Sequence, residues 1–299
     1  MAVLVESPQR TAAEPRAVRR PDRPFWRRNL VLTIVLYVVL ALGSLAFVYP
    51  FLWMVATSLR SLAGVGSAGA SIWPREFLWA NYSRAVTSFP FWRYALNSVL
   101  TTLIPIVGTV FSCSLAGFAF ARLKVRFSGI VFAVVLATML LPGEVTMVPQ
   151  FMLFNNLGMI DTLYPLILPA FFGSPFYIFL FRQFFARMPA ELADAAVVDG
   201  CGWFRMFLLV YFPLARPAVV AVSILLFMGY WNNFLGPAIY INSDQWKTLP
   251  LALAGFQSVN GTDTPLLMAT SVLITLPCLV IFFFAQKQIT NGITFTGGR

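Results

Sequence analysis

Histidine is absent from the 299 residues, and only three cysteines and eleven acidic residues are present. Without histidine there is no Ser-His-Asp or Cys-His catalytic set, and most zinc sites are excluded with it. Cys113, Cys201 and Cys278 are too widely spaced for a metal pattern, and Cys113 and Cys278 sit in apolar runs as small hydrophobes. The only lysines are Lys124, Lys247 and Lys287, and none follows a Gly-x-x-x-x-Gly stretch, so the chain has no phosphate-binding P-loop. Charge is the largest deficit: 11% of residues are Asp, Glu, Lys or Arg, where a soluble domain carries about a quarter. With 59% hydrophobic residues and 30 phenylalanines, the chain cannot keep its surface solvated in water. It reads as an all-α integral membrane protein.

Six apolar runs reach the roughly 20 residues needed to cross a hydrocarbon core. They cover about 30–57, 97–121, 129–155, 163–185, 217–241 and 266–286. Seven arginines crowd the first 28 residues, just ahead of the first run. That prefix and the length of the run exclude a cleaved signal peptide. The cluster is a topology signal and an attraction to anionic lipid, and no nucleic acid is expected as a partner. With the N-terminus inside, Lys and Arg divide 16 to 5 in favour of the cytoplasmic side, which puts both termini in the cytoplasm. The expected organisation is a basic arm, 1–29, followed by a six-span domain, 30–299.

Two spans are interrupted. Pro142, Gly143, Glu144 and Pro149 break the third, and Pro165, Pro169, Gly173 and Pro175 the fourth. Carbonyls freed there must be buried in protein or line a wet cavity, unless the breaks are simple packing kinks. The segment 59–94 mixes Trp73, Trp79, Asn81, Tyr82, Phe91 and Trp92, and reads as an outer membrane-surface lid with short helices.

The most polar internal stretch, 182–216, holds Glu191, Asp194 and Asp199. Pro189 suits a first helical turn, and Glu191 lies where the helix dipole favours an anion. Ala193, Ala195 and Ala196 favour helix and leave room for another backbone to approach. Asp199-Gly200 ends that helix, with Gly200 free to turn left-handed. An amphipathic stretch, Trp203 to Phe212, then leads through Pro213 back to the membrane at Pro217. The physical expectation is a short exposed helix-turn-helix, 188–217, shaped for a cytoplasmic partner to grip.

Asp194-Ala195-Ala196, three residues, Gly200, nine residues, Val210-x-Phe212-Pro213 resembles the EAA loop of binding-protein-dependent ABC importer permeases. The family pattern is Glu-Ala-Ala, three residues, Gly, nine residues, Ile-x-Leu-Pro, and every spacing matches. Asp194 stands for Glu, Val210 for Ile and Phe212 for Leu. The resemblance extends over nearly the whole chain and is to the maltose-permease type of carbohydrate importer subunit. It is carried further by Asn81-Tyr82, Asn97-Ser98, Phe118-Ala-Phe-Ala-Arg122, Leu141-Pro142, Leu157-Gly-Met-Ile-Asp-Thr162, Trp231-Asn232 and Leu276-Pro277. The tail departs from the usual ending, reading Gly292-Ile-Thr-Phe-Thr-Gly-Gly-Arg299.

The resemblance implies a six-span, type I ABC importer permease fold in a bacterial inner membrane. It implies a second permease, two copies of an ABC ATPase and an extracytoplasmic substrate-binding protein as partners, with a sugar as cargo. ATP and magnesium would belong to the ATPase, and no cofactor to this chain. Glu191, Asp194, Ala195, Ala196, Asp199, Gly200, Trp203, Phe204 and Pro213 would form the coupling knob. Substrate-path candidates are Glu144, an acid inside the third run, and Trp231, Asn232 and Asn233, which offer amides beside an aromatic face. Hydrogen bonding between spans explains the latter three equally well. A secondary transporter or channel subunit driven by an ion gradient is the alternative. It predicts buried acid–base pairs and internal duplication, and the sequence has a lone intramembrane acid. A membrane enzyme would need a clustered catalytic set that the sequence lacks.

Overall fold

The computed structural model describes residues 30–67, 73–74, 76–123, 125–258 and 261–294. The expected basic arm, together with Arg75, Lys124 and the last five residues of the tail, lies outside the described residues. The chain divides into two units, one ending at Leu52 and one beginning at Trp53. The described part of the first unit, 30–52, is a stretch of α1 (Leu30–Ser58), apolar on every side as a lipid-facing helix must be.

The second unit is helical throughout, save for a two-residue antiparallel ribbon, Gln257–Ser258 with Gly261–Thr262. Its helices are α2 (Leu62–Ser67), α3 (Ala80–Thr87), α4 (Phe91–Arg122), α5 (Ser128–Ala137), α6 (Gly143–Asn156), α7 (Tyr164–Ile167), α8 (Pro175–Ala186) and α9 (Glu191–Val198). There follow α10 (Trp203–Met206), α11 (Phe212–Leu214), α12 (Arg216–Trp231), α13 (Leu235–Tyr240), α14 (Leu249–Ala254) and α15 (Thr264–Thr294). Four described helical stretches are long and apolar enough to cross a membrane, or six if two bent pairs each count as one.

The α4 helix is the axis of the unit, packing against α8, α12 and α14. Two glycines make its close approaches possible. A Cβ at Gly117 would stand 2.7 Å from the Phe181 Cβ and 2.8 Å from the Arg182 nitrogen, and one at Gly108 would strike the Phe171 ring at 2.9 Å. Small residues at such crossings let helices meet backbone to backbone, as they do within membranes. One buried hydroxyl on α4 is satisfied within the helix: Thr101 Oγ1 donates to the Asn97 carbonyl at 2.8 Å. Around α4 lie two apolar cores. One gathers Phe118, Phe181, Phe185, Phe207 and Tyr211, and the other Phe91, Tyr94, Phe227, Trp231 and Ile274.

The interrupted spans differ in detail from continuous crossings. The third turns through 97° between α5 with its trailing 3-10 turn and α6. Pro142 has no amide hydrogen and pushes Leu141 into extended backbone, so the helix must stop there. The fourth passes from α7 through a 3-10 turn, Leu168–Phe172, to Gly173 at φ +86° before Pro175 starts α8. The fifth, expected as one run over 217–241, ends as α12 at Trp231 and resumes as α13. There the Asn233 Oδ1 accepts the Gly236 amide at 3.0 Å, an alternative to continued helix.

Candidate functional site

The segment 188–217 follows the end of α8 at Ala186 and enters α9 at Glu191. Glu191 and Asp194 occupy the first turn, where amide hydrogens are free and the dipole favours their charge. Ala196 is the one buried residue of α9; Glu191, Asp194, Ala195, Val197 and Val198 face outward, with Val198 86% exposed. The Asp199 amide returns to the Ala195 carbonyl at 3.0 Å, and Gly200 takes φ +75°, the left-handed conformation that costs glycine least. Trp203 and Phe204 are about half exposed beside this helix end. Six candidate positions from Glu191 to Gly200, with Trp203 and Phe204, thus share one projecting element, except that Ala196 turns inward. Pro213 is apart from them, half-buried on the return leg in α11.

That return leg is not the exposed arm expected from its amphipathic pattern. Met206, Phe207 and Tyr211 are fully buried, through one turn of π-helix over Phe207–Tyr211. Phe207 and Tyr211, four apart, fall on one face, and both rings lie against Phe118 of α4, at 5.5 and 4.9 Å between centroids. Only the outgoing helix projects. The length of apolar surface in 206–211 explains the difference: it buries more area against the core than exposure to water allows.

The pathway candidates are scattered. Glu144 is exposed in the first turn of α6, at the 97° bend instead of within a continuous span. Trp231 is buried, donates through Nε1 to the Ile274 carbonyl at 3.0 Å and stacks on Phe227. Asn232 is exposed and donates to the Met228 carbonyl of its own helix at 2.8 Å. Trp231 and Asn233 meet at one small cavity with Ser98, Thr101, Tyr230 and Thr248. Thr248 Oγ1, 2% exposed as a residue, has no hydrogen-bond partner among the described residues. The cavity is lined by polar and apolar groups together and is of the size that holds about one water molecule, too small for a sugar ring. Glu144 and Asn232 take no part in it.

Several organising residues had signals in the sequence but no assigned role. Asn81 Nδ2 donates to the Ser58 and Arg60 carbonyls at 2.9 and 2.8 Å, and Asn97 Nδ2 to the Gln245 and Lys247 carbonyls at 3.0 and 2.9 Å. The Asp161 carboxylate accepts the Asn242 and Ser243 amides at 2.9 and 2.7 Å, which holds its pKa below the ordinary carboxylate value. Arg122 donates to the Phe185 and Met188 carbonyls.

Residues 114–294 match the family model described as the binding-protein-dependent transport system inner membrane component. The chain belongs to that family of inner-membrane permeases. The permease is 33% identical over 270 residues to the arabinooligosaccharides transport system permease protein of Bacillus subtilis (strain 168), covering 89% of this chain and 96% of that one. It is 32% identical over 264 residues to the lactose transport system permease protein of Rhizobium radiobacter, covering 87% and 94%. Its fold is that of a chain from a bacterial ABC transporter involved in import of the acidic polysaccharide alginate, with a TM-score of 0.79, 22% identity, and coverage of 89% and 99%. The permease therefore has the type I ABC importer fold.

Proposed function

We propose that this permease forms half of the translocation pathway of an ATP-driven, binding-protein-dependent sugar importer. Its partners are a second permease, two copies of an ABC ATPase and an extracytoplasmic substrate-binding protein. The chain supplies no catalytic group and no cofactor site; ATP and magnesium are handled by the ATPase. The domain 30–299 crosses the bilayer six times with both termini cytoplasmic, and the arm 1–29 lies against anionic lipid.

Sidedness is supported by which loops meet. Alternating crossings would put 59–94, 157–162 and 242–263 on one side; Arg84 and Asp161 tie the first two segments to the third, and Asn97, near the start of α4, is tied to it as well. The opposite set, the end of α4 and 185–211, is joined through Arg122 and Phe118. No described contact given above crosses the two sets.

The observation that carries the coupling role is the contrast within 188–217: a projecting helix whose two legs are anchored in the core. Glu191, Asp194, Ala195, Asp199, Gly200, Trp203 and Phe204 would present the docking surface to the ATPase, with Ala196 and Pro213 seating it. A stiff knob of this kind turns closure of the ATPase dimer into rigid-body movement of the spans. Trp231 and Asn233, at the small cavity, and Glu144 and Asn232 would belong to the path or its gates. Sugar as the cargo rests on the named relatives, which carry lactose and arabinooligosaccharides.

The test is uptake from a panel of labelled mono-, di- and oligosaccharides into vesicles holding the complete complex. ATP-dependent uptake of one of them is expected. Uptake by this chain alone, or uptake driven by an ion gradient without ATP, would refute the assignment.

A further inference from the structure

Helix α8 ends at Ala186, so the Phe185 carbonyl is one of the last four, which lack a partner within the helix. The residue four further on, Pro189, has no amide to give it. Carbonyls left open at a helix C-terminus must find another donor, more so when buried. The Met188 amide reaches Phe185 in a looser 3.2 Å bond. The stronger partner comes from a different span: Arg122 Nη2 donates to the Phe185 carbonyl at 2.7 Å, and also to the Met188 carbonyl. Arg122 is the last residue of α4, so the inner end of that helix is pinned to the outgoing leg of the coupling segment.

The same guanidinium also holds the returning leg. Its carbon lies 5.2 Å from the centroid of the Tyr211 ring, and Tyr211 is fully buried. That ring is packed between Phe118, one turn earlier on α4, and Phe185 on α8, at 4.9 and 6.0 Å. Asp194 of the projecting helix and Arg122 both act electrostatically on the Tyr211 phenol, with opposite sign. No carboxylate makes a described ion pair with Arg122. Its charge is held by two carbonyls, the negative end of the α8 dipole and an aromatic face. A charge partly buried on those terms is costly unless the geometry is kept, which makes the arrangement stiff.

We infer that Arg122 is a positioning residue for energy coupling, a rivet through which movement of α9 is delivered to α4. The inference rests on the importer reading above. A planar guanidinium is needed: Nη2 serves both carbonyls while the flat face lies over Tyr211. Lysine keeps the charge and a donor but has no flat face to lay on the ring while it donates. A loose rivet leaves α9 free to follow the ATPase while the spans lag behind. Hydrolysis then continues, and transport per ATP falls.

The experiment uses the whole complex in vesicles with its binding protein, measuring ATP hydrolysis and uptake in the same preparation. Arg122→Lys is expected to assemble, to hydrolyse ATP, and to lower the uptake-to-hydrolysis ratio about tenfold, the scale of one charge-assisted hydrogen bond lost. Tyr211→Leu removes the stacking ring and should lower the ratio by a smaller factor, about threefold. Tyr211→Phe keeps the ring and should leave the ratio at the wild-type value. An unchanged ratio in Arg122→Lys overturns the inference. So does loss of assembly in both Arg122→Lys and Tyr211→Leu, because the role is then structural. A wild-type complex without ATP-coupled uptake overturns the importer reading instead, and is seen before any variant is made.

Discussion

Each end of α4 carries an apolar core, but only the first adds a set of side-chain ties to the backbone of a loop. Near its start, Asn97 and Ser98 reach backbone groups of the segment 245–249, and the neighbouring bonds of Asn81 and Asp161 are of the same kind, side chain to main chain. Near its finish, Phe118 sits among Phe185, Phe207 and Tyr211, with Arg122 as a polar tie. Amide ties are directional and fix the backbone of a loop in register. Ring packing is non-directional but large, and suits an element that must carry load without losing its place. The difference matches the proposed division of labour: loops held in register at one end, a mechanical joint at the other.

The sharpest way to break the comparison is to remove a ring from the joint. Phe207→Ala should cost about 3–5 kcal/mol, because a fully buried aromatic leaves a cavity that its neighbours fill only in part. Thermal unfolding of the purified permease should fall accordingly, with little dependence on salt or pH. An effect under about 1 kcal/mol would mean that the rings are not the load-bearing contacts of this end, contrary to area-based expectation.

Asn97→Ala is the matching change at the other end and should cost less, about 1–3 kcal/mol. It removes both donors to the Gln245 and Lys247 carbonyls, and Asn97 is 4% exposed. The readout is local: faster amide exchange across 244–249 with the α8–α9 region unchanged. Equal loosening at both ends would erase the distinction.

Much of this division was legible in the sequence, and the illegible part has one cause. Apolar runs located the helices, and the prolines marked where spans three and four break. The angle of 97° at Pro142 has no local signature, because it depends on what the two halves pack against. The α9 helix and its Gly200 end were readable from Pro189, the alanines and Asp199-Gly200. The burial of Phe207 and Tyr211 was not, since an amphipathic stretch says that one face is covered without saying by what. Arg122 looked like one more topology charge; only contact with Phe185 and Met188, 63 and 66 residues away, reveals its other use. Trp231 likewise was open between pathway and packing, and its bond to the Ile274 carbonyl is a bond between spans.

A weaker probe of the amide-tied end is pH. The Asp161 pKa is lowered from 3.8 by the Ser243 and Asn242 amides. A depressed carboxylate contributes fully above its unfolded value and loses that contribution as pH falls through the lower, folded value. The tie from Asp161 to 242–243 should therefore hold through neutral and mildly acidic pH and release only below 3.8. Amide exchange at Asn242 and Ser243 should rise there, while Asp161→Asn removes the pH dependence and retains an acceptor. Release at pH 5–6 would contradict the sign.

The smallest effect is expected from the most visible charge pair. Arg84 Nη2 lies 2.7 Å from Asp263 Oδ2, with the side chains 53% and 30% exposed. Exposed pairs are screened and contribute about 0–1 kcal/mol, so Arg84→Gln should scarcely change stability and should matter even less at high salt. Asp263 does a second job: its other oxygen accepts the Leu266 amide at 3.1 Å, capping the start of α15. Replacing a capping aspartate by alanine costs about 1 kcal/mol and is insensitive to Arg84. Asp263→Ala should therefore be the more harmful change, and the double variant should equal it to within about 0.5 kcal/mol. A larger coupling energy in that cycle would show that the ion pair, and not the cap, holds α3 to α15, and would shift this end of the molecule from amide ties toward charge.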